Sequence, residues 1–325
     1  MNLEEIHIAD IRTLMTSVQE PNKSYPAGFE TNIDKFRRRH ERGDDLSELY
    51  HENTKLNSRI QRENRRTVAA LKQPGMLYVQ SKIEPDRRGQ ELIDLPDTGE
   101  LTESVTDVVF GRRSIREFGD EPLSLTQLST ILGHSSGVSA KRQSFIPETE
   151  LSEPELERRA EDPDPDQVIE QTMRTYPSPG GLYPTELYLC VIDVENIKPG
   201  VYYYSPENHA LRVVNRDFES FDDAVDDCFF TREFEPSDAA VAFALTGSFW
   251  RAKAKYGARG YRYILQESGH LVQNLLLAAT AAGEGAVPLA AFHDRSINDL
   301  IGADGLHEAV TYTMLLGTPD SEDHQ

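Results

Sequence analysis

Pro177-Ser-Pro-Gly-Gly-Leu-Tyr-Pro184-Thr-Glu-Leu-Tyr-Leu-Cys-Val-Ile-Asp-Val194 sets a proline- and glycine-rich turn directly before a β-type run. The two glycines allow backbone conformations closed to other residues and let a flat ligand approach the main chain. Leu187 to Val194 then reads as a strand. An ordinary tight loop has the same look, so Pro177, Ser178 and Gly181 become candidate ligand contacts only with support from elsewhere in the chain.

Further β-type runs follow at Gly200 to Ser205, Ala210 to Val214 and Ala239 to Thr246, with a last one at Ala309 to Gly317. The second and third of these five, joined through Pro206, Glu207 and Asn208, read as a hairpin. A long helix is expected from about Arg259 to Ala282, apolar at Ile264, Leu265, Leu271, Val272, Leu275 and Leu276. Upstream, Leu101 to Arg112 reads as a helix with Val105, Val108 and Val109 on one side. Ser124-Leu-Thr-Gln127 has capping-box form and opens a second helix with Leu125, Leu128, Ile131 and Leu132 inward. Antiparallel strands with helices set among them give an α+β domain and not a doubly wound one.

The first hundred residues are charged, with apolar residues at helical spacing only in patches, and residues 84 to 98 suit an extended connector. Residues 1–98 are therefore expected to form a mostly helical extension and connector, and 99–325 the main domain. Within it, the acidic stretch 141–171, including Glu161-Asp-Pro-Asp-Pro-Asp166, reads as a flexible surface insertion.

A formal charge of −21 on 325 residues repels phosphates and anionic lipid, which argues against nucleic-acid or membrane-surface binding. No apolar run is long enough to span a bilayer and the first residues lack signal-peptide order, so a cytoplasmic location is expected. Cys190 and Cys228 are the only cysteines, too few and too far apart for a zinc or iron–sulfur site, and no metal is expected.

Three more segments carry chemistry. Arg112-Arg-Ser-Ile-Arg116 puts guanidinium groups and a hydroxyl in a loop between two helices, suited to a phosphate, although such runs are often plain solvated charge. Lys255-Tyr256 stands just before the long helix, where a lysine or tyrosine of lowered pKa accepts a proton; a basic helix entrance packed on an acidic surface reads the same way. Gly283-Glu-Gly-Ala-Val-Pro-Leu-Ala-Ala-Phe292 follows that helix with small residues that leave backbone amides open to a ring, or simply enters a buried strand. None has the glycine pattern of a dinucleotide-binding Rossmann unit.

In this order the segments resemble the nitroreductase superfamily, and within it the SagB-type dehydrogenases that oxidise azoline rings in peptides to azoles. The resemblance spans about residues 45 to 318. It rests on Leu46-Ser-Glu-Leu-Tyr-His-Glu-Asn-Thr-Lys55, the arginine loop, Pro122-Leu-Ser-Leu125, the 177–184 turn, Pro199-Gly-Val-Tyr-Tyr-Tyr204, Lys255-Tyr256, Tyr261-Arg-Tyr263 and Glu267-Ser-Gly-His-Leu-Val-Gln-Asn274. It implies a nitroreductase-like fold, a central antiparallel sheet flanked by helices, and a homodimer holding two FMN molecules at its interface. Arg112, Ser114 and Arg116 would then hold the phosphate and ribityl side, with Arg113 contributing backbone. Pro177, Ser178 and Gly181 would approach from the partner subunit. Pro288, Leu289, Ala290 and Ala291 would line the ring, the amide near Ala291 facing N5. Two departures stand out: no Lys or Arg follows Gly317, where many members place basic residues, and Pro179 replaces a small flexible residue.

The resemblance implies hydride transfer from an azoline to flavin N5, with Lys255 or Tyr256 taking the proton, after a cyclodehydratase has formed the ring on a peptide substrate. Two other readings stay open at this point: an NAD(P)H-dependent nitro or quinone reductase, and a non-catalytic scaffold subunit of a peptide-modifying complex.

Overall fold

The computed structural model describes residues 50–51, 53–55, 91–145, 168–231 and 234–320. The chain divides into two units, 1–57 and 58–325, and the account below concerns the second. The helices expected before residue 91, and half of the Leu46 to Lys55 segment, lie outside the described residues.

The strands are β1 (Leu92–Asp94), β2 (Val138–Phe145), β3 (Val168–Arg174), β4 (Thr185–Val191), β5 (Gly200–Ser205), β6 (Ala210–Asn215), β7 (Val241–Ser248), β8 (Gly285–Leu289) and β9 (Glu308–Gly317). The helices are α1 (Val105–Gly111), α2 (Leu125–Ser136), α3 (Phe221–Asp226), α4 (Phe249–Tyr256), α5 (Gly260–Ala281) and α6 (Asp294–Ile301). Seven strands form one sheet in the order β1-β6-β5-β4-β7-β9-β8, antiparallel at every pairing, while β2 and β3 form a separate two-stranded ribbon. The α+β expectation and the β5–β6 hairpin hold.

Every residue of β4 and of β7 is buried, because both faces of the sheet are covered. Leu187, Leu189 and Val191 pack with α2 and α5 residues such as Leu128, Ile131, Leu271 and Leu275. Tyr188 and Cys190 point the other way, toward Phe221, Cys228, Ile297 and Ile301. Strands buried on two sides read as continuous apolar runs, which is why the sequence shows them without alternation. Both cysteines are buried, as expected of small apolar residues.

Four expectations need correction. The connector contributes β1, whose Leu92 to Asp94 pair with Arg212 to Ala210 at the sheet edge, so the fold begins before residue 99. The two ends of the 141–171 stretch are strands, with Lys141 opposite Thr172 and Phe145 opposite Val168; backbone pairing orders these ends, which have little apolar content to bury. On α1 only Val108 is buried, whereas Val105 and Val109 are exposed, because the helix starts at its Ser104 cap and meets the core along a single turn. Leu265, expected to face inward on α5, is exposed. The capping box is present as read: Ser124 Oγ accepts from Gln127 N at 3.2 Å and Gln127 Oε1 accepts from Ser124 N at 3.2 Å.

Candidate active site

The sequence-nominated residues fall into two groups. The first lies along β8, with the arginine loop at its start and Pro288 to Ala291 at and beyond its end. Ile115 N donates to Ala286 O at 3.1 Å, so the arginine loop is pinned to β8 along its backbone. Gly285 allows this approach, since a β-carbon there would stand 2.9 Å from Ile115 Cγ2. Arg113 turns back and donates through Nη1 to Phe110 O at 2.8 Å and Arg112 O at 3.0 Å, which satisfies carbonyls at the end of α1. Arg112 and Ser114 are half-buried and Arg116 is exposed. Beyond this loop, Pro288 and Leu289 are half-buried and Ala290 and Ala291 exposed, an open edge of small residues. Beneath it, Gln127 Nε2 donates to the buried Glu284 Oε1, joining α2 to the start of β8. Phe230 N donates to Ala291 O at 3.0 Å, and the exposed Phe230 ring rests on His293 with centroids 3.6 Å apart.

The second group lies where β4 begins. Pro179 to Gly181 form a 3-10 turn in which Gly180 and Gly181 have φ of 69° and 64°, and Tyr183 follows at 44°. Only glycine takes such values freely. At Gly180 space matters as well, because a β-carbon would stand 2.6 Å from Lys255 Nζ and closer still to Tyr256 Oη. The turn and the Lys-Tyr pair, far apart in sequence, are therefore in contact. Lys255 and Tyr256 are the last turn of α4, a helix separate from α5, and both are half-buried. Tyr256 meets the Tyr263 ring edge to face at 4.9 Å. Burial, with Tyr263 beside it, pushes the Tyr256 phenol up from its usual range. The expectation of a lowered pKa fails for Tyr256: a partly desolvated phenol stays neutral and donates a hydrogen bond.

Three charged residues in this region received no role in the sequence reading, although Glu267 opens the quoted 267–274 motif. Arg251, one turn before Lys255 on α4, donates to Tyr183 O at 3.0 Å and pairs with the buried Glu186 through Nη1. Tyr203 Oη donates to the other Glu186 oxygen at 2.8 Å. Burial pushes the Glu186 carboxyl up, opposed by Arg251 and Arg174. Glu267 on α5 is fully buried; its Oε2 accepts from Ser178 Oγ at 2.5 Å and its Oε1 from Thr185 N at 3.1 Å. A signal for it existed, since Glu267 stands three residues after Ile264 and four before Leu271 on the apolar face of α5.

Burial pushes Glu267 to about 7, against the lowering effect of Ser178, Thr185 and the Arg174 charge. A carboxyl that rises on folding binds more protons in the native state, so stability falls as pH climbs from about 4.3 to 7. Glu267→Gln removes that loss. The stability of the variant relative to wild type, from urea unfolding, is expected to rise by on the order of 3 kcal/mol between pH 4.5 and 8. A pH-independent difference would contradict the assignment.

The arginine loop and the 178–185 turn sit at opposite ends of the sheet, and β8 runs from the first toward the second, Leu289 lying level with the middle of β4. Gly285 pairs with Gly317 beside the end of β4, whereas Thr185 pairs with Gly247 at its start. Helix α5 runs between them, from Glu267 near the turn to Ala281 before β8, roughly 20 Å at 1.5 Å per residue.

Comparison with known proteins agrees with this architecture. Residues 109–318 match the model of the nitroreductase family. A nitroreductase-like protein of Methanocaldococcus jannaschii, MJ1384, is 32% identical over 212 residues, 64% of this chain and 88% of that protein. The microcin B17-processing protein McbC of Escherichia coli is 36% identical over 126 residues, 37% of this chain and 44% of that protein. The crystal structure of a nitroreductase-like protein from Anabaena variabilis superposes with a TM-score of 0.55 at 24% identity, covering 73% of this chain and 43% of that one. Among the described residues, no helix is long and apolar enough to cross a membrane, and no cluster of His, Cys, Asp or Glu would hold a metal. The sheet, the arginine loop docked on β8 and the match over 109–318 together place this chain in the nitroreductase family of oxidoreductases.

Proposed function

We propose that the chain is a SagB-type dehydrogenase that oxidises azoline rings in a peptide to azoles, using FMN held between two copies of itself. The observation that carries this reading is the contact of Gly180 with Lys255 and Tyr256, which joins the branch's turn to its Lys-Tyr pair. The relation to a microcin-processing protein fits action on a peptide.

The residues present fit the cofactor. Arg112, Ser114 and Arg116 offer charge-assisted donors for a phosphate. Pro288 to Ala291 leave an open edge for a ring, and Gly181 leaves open space where a β-carbon would stand. Because the arginine loop and the Lys-Tyr pair occupy opposite ends of one sheet, each site takes its loop and β8 from one chain and its turn, Lys255 and Tyr256 from the partner. Val105, Val109 and Phe110 on α1, at 80%, 51% and 76% exposed, are apolar surface that a second copy would cover.

Bound FMN supplies the two-electron acceptor. The protein supplies orientation and a base. Lys255 Nζ accepts the ring proton of the azoline, Tyr256 Oη donates a hydrogen bond that fixes the substrate, and the aromatic surface around Tyr263 keeps water out. The azoline must be formed first, so a cyclodehydratase acts before this enzyme.

Purified protein is expected to be yellow, to show flavin absorbance and to convert a thiazoline peptide with a loss of about 2 Da. Arg112→Ala with Arg116→Ala is expected to weaken FMN binding by at least about 100-fold, read by flavin fluorescence. A protein that takes up no FMN would refute the reading. The relation to MJ1384 favours a second reading, an NAD(P)H-dependent nitro or quinone reductase; rapid flavin bleaching by NADPH, unaffected by Lys255→Ala, would mark it.

A further inference from the structure

We infer that Glu267 is a positioning residue of this site: it anchors both ends of the 178–185 turn to α5 and thereby sets Gly180 against Lys255 and Tyr256. The inference rests on the proposed role of that pair. Its basis is geometric. The turn carries three left-handed residues, Gly180, Gly181 and Tyr183, and a segment so strained keeps its shape only if its surroundings hold it. Glu267 supplies the hold on both sides. On the entering side Ser178 Oγ donates to Oε2 at 2.5 Å and itself accepts from Tyr183 N at 2.8 Å, closing the turn across the glycines. On the leaving side Thr185 N donates to Oε1 at 3.1 Å as β4 begins. Two donors approach the Glu267 side chain from two directions, and a fully buried Glu is rare without such partners. Across the turn, Gly180 has no side chain and so rests directly on the ends of Lys255 and Tyr256. A turn released from α5 would move the surface that locates both groups.

The test compares Glu267→Ala, Glu267→Gln and Ser178→Ala in the full chain, with Lys255→Ala as a control. Three readouts are taken. Amide hydrogen exchange of residues 178–185 and the rate of Lys255 acylation by an amine-reactive ester are followed in flavin-free protein, and kcat and KM for a thiazoline peptide in flavin-loaded protein. Glu267→Ala is expected to speed exchange of the Tyr183 and Thr185 amides by about 10-fold or more and to change the Lys255 acylation rate. It should lower kcat by about 100-fold with KM within about threefold. Glu267→Gln keeps an acceptor for Thr185 N and offers Nε2 as a donor to Ser178 Oγ once that hydroxyl rotates, so it should stay within about threefold of wild type on all three. Should Glu267→Ala fail to fold, Ser178→Ala carries the test, with the same direction of change in exchange and acylation. Exchange, acylation and kcat all unchanged in Glu267→Ala, with Lys255→Ala inactive, would overturn this inference alone. Wild-type turnover in Lys255→Ala would instead overturn the proposed reaction, and the flavin-free readouts would still report whether Glu267 anchors the turn.

Discussion

Lys255→Ala is expected to lower kcat for a thiazoline peptide by about 10² to 10⁴-fold while FMN binding stays within about threefold of wild type. The magnitude is that of a lost general base. The selectivity follows from position, because Lys255 lies at the end of the sheet where β4 begins, away from the arginine loop that carries the phosphate-binding charge. Tyr256→Phe is expected to cost less, because burial holds the phenol neutral and only one donated hydrogen bond is removed. Stopped-flow reduction of the flavin by substrate reads the chemical step directly. A larger loss in Tyr256→Phe than in Lys255→Ala would put the base at Tyr256 and contradict the assignment to Lys255.

Arg251→Ala is expected to destabilise the fold by about 3 to 5 kcal/mol, a fall in Tm on the order of 10 °C. Arg251 and Glu186 are both buried, and the guanidinium also holds Tyr183 O at the close of the turn. Removing it leaves a carboxyl under the sheet with the Tyr203 hydroxyl and the more distant charge of Arg174. Most of the cost is that of a charge left in a poor solvent. Arg251→Met combined with Glu186→Gln should therefore recover at least half of the loss. A single-variant change below about 1 kcal/mol would show the pair to be solvated in solution.

How far the sequence reveals this molecule differs by element. The strands were legible because β4, β5 and β7 are concentrated apolar runs, and α5 because its apolar residues repeat at helical spacing. The ribbon of β2 and β3 was not, since Lys141 to Phe145 and Val168 to Arg174 are ordered by backbone pairing, to which hydropathy is blind. The same reason hid β1, three residues hydrogen-bonded to an edge. In the site, Lys255 and the Pro-Ser turn stood out as motifs, but their contact depends on the sheet bringing residue 180 to residue 255. Glu186, Arg251 and Glu267 sit among apolar neighbours, where a charged residue is easily passed over as an interruption of the pattern. That burial is what gives them their importance.

The central claim is that each site is built from two chains, and mixed subunits test it. Chains carrying Arg112→Ala and Arg116→Ala are combined in equal amounts with chains carrying Lys255→Ala and allowed to exchange. Each preparation alone should be nearly inactive on a thiazoline peptide. If the arginine loop of one chain works with the Lys-Tyr pair of the other, half of the dimers are mixed and each mixed dimer has one intact site, restoring about a quarter of wild-type activity. No recovery, with subunit exchange verified by mass, would show that one chain supplies both groups and would contradict the account.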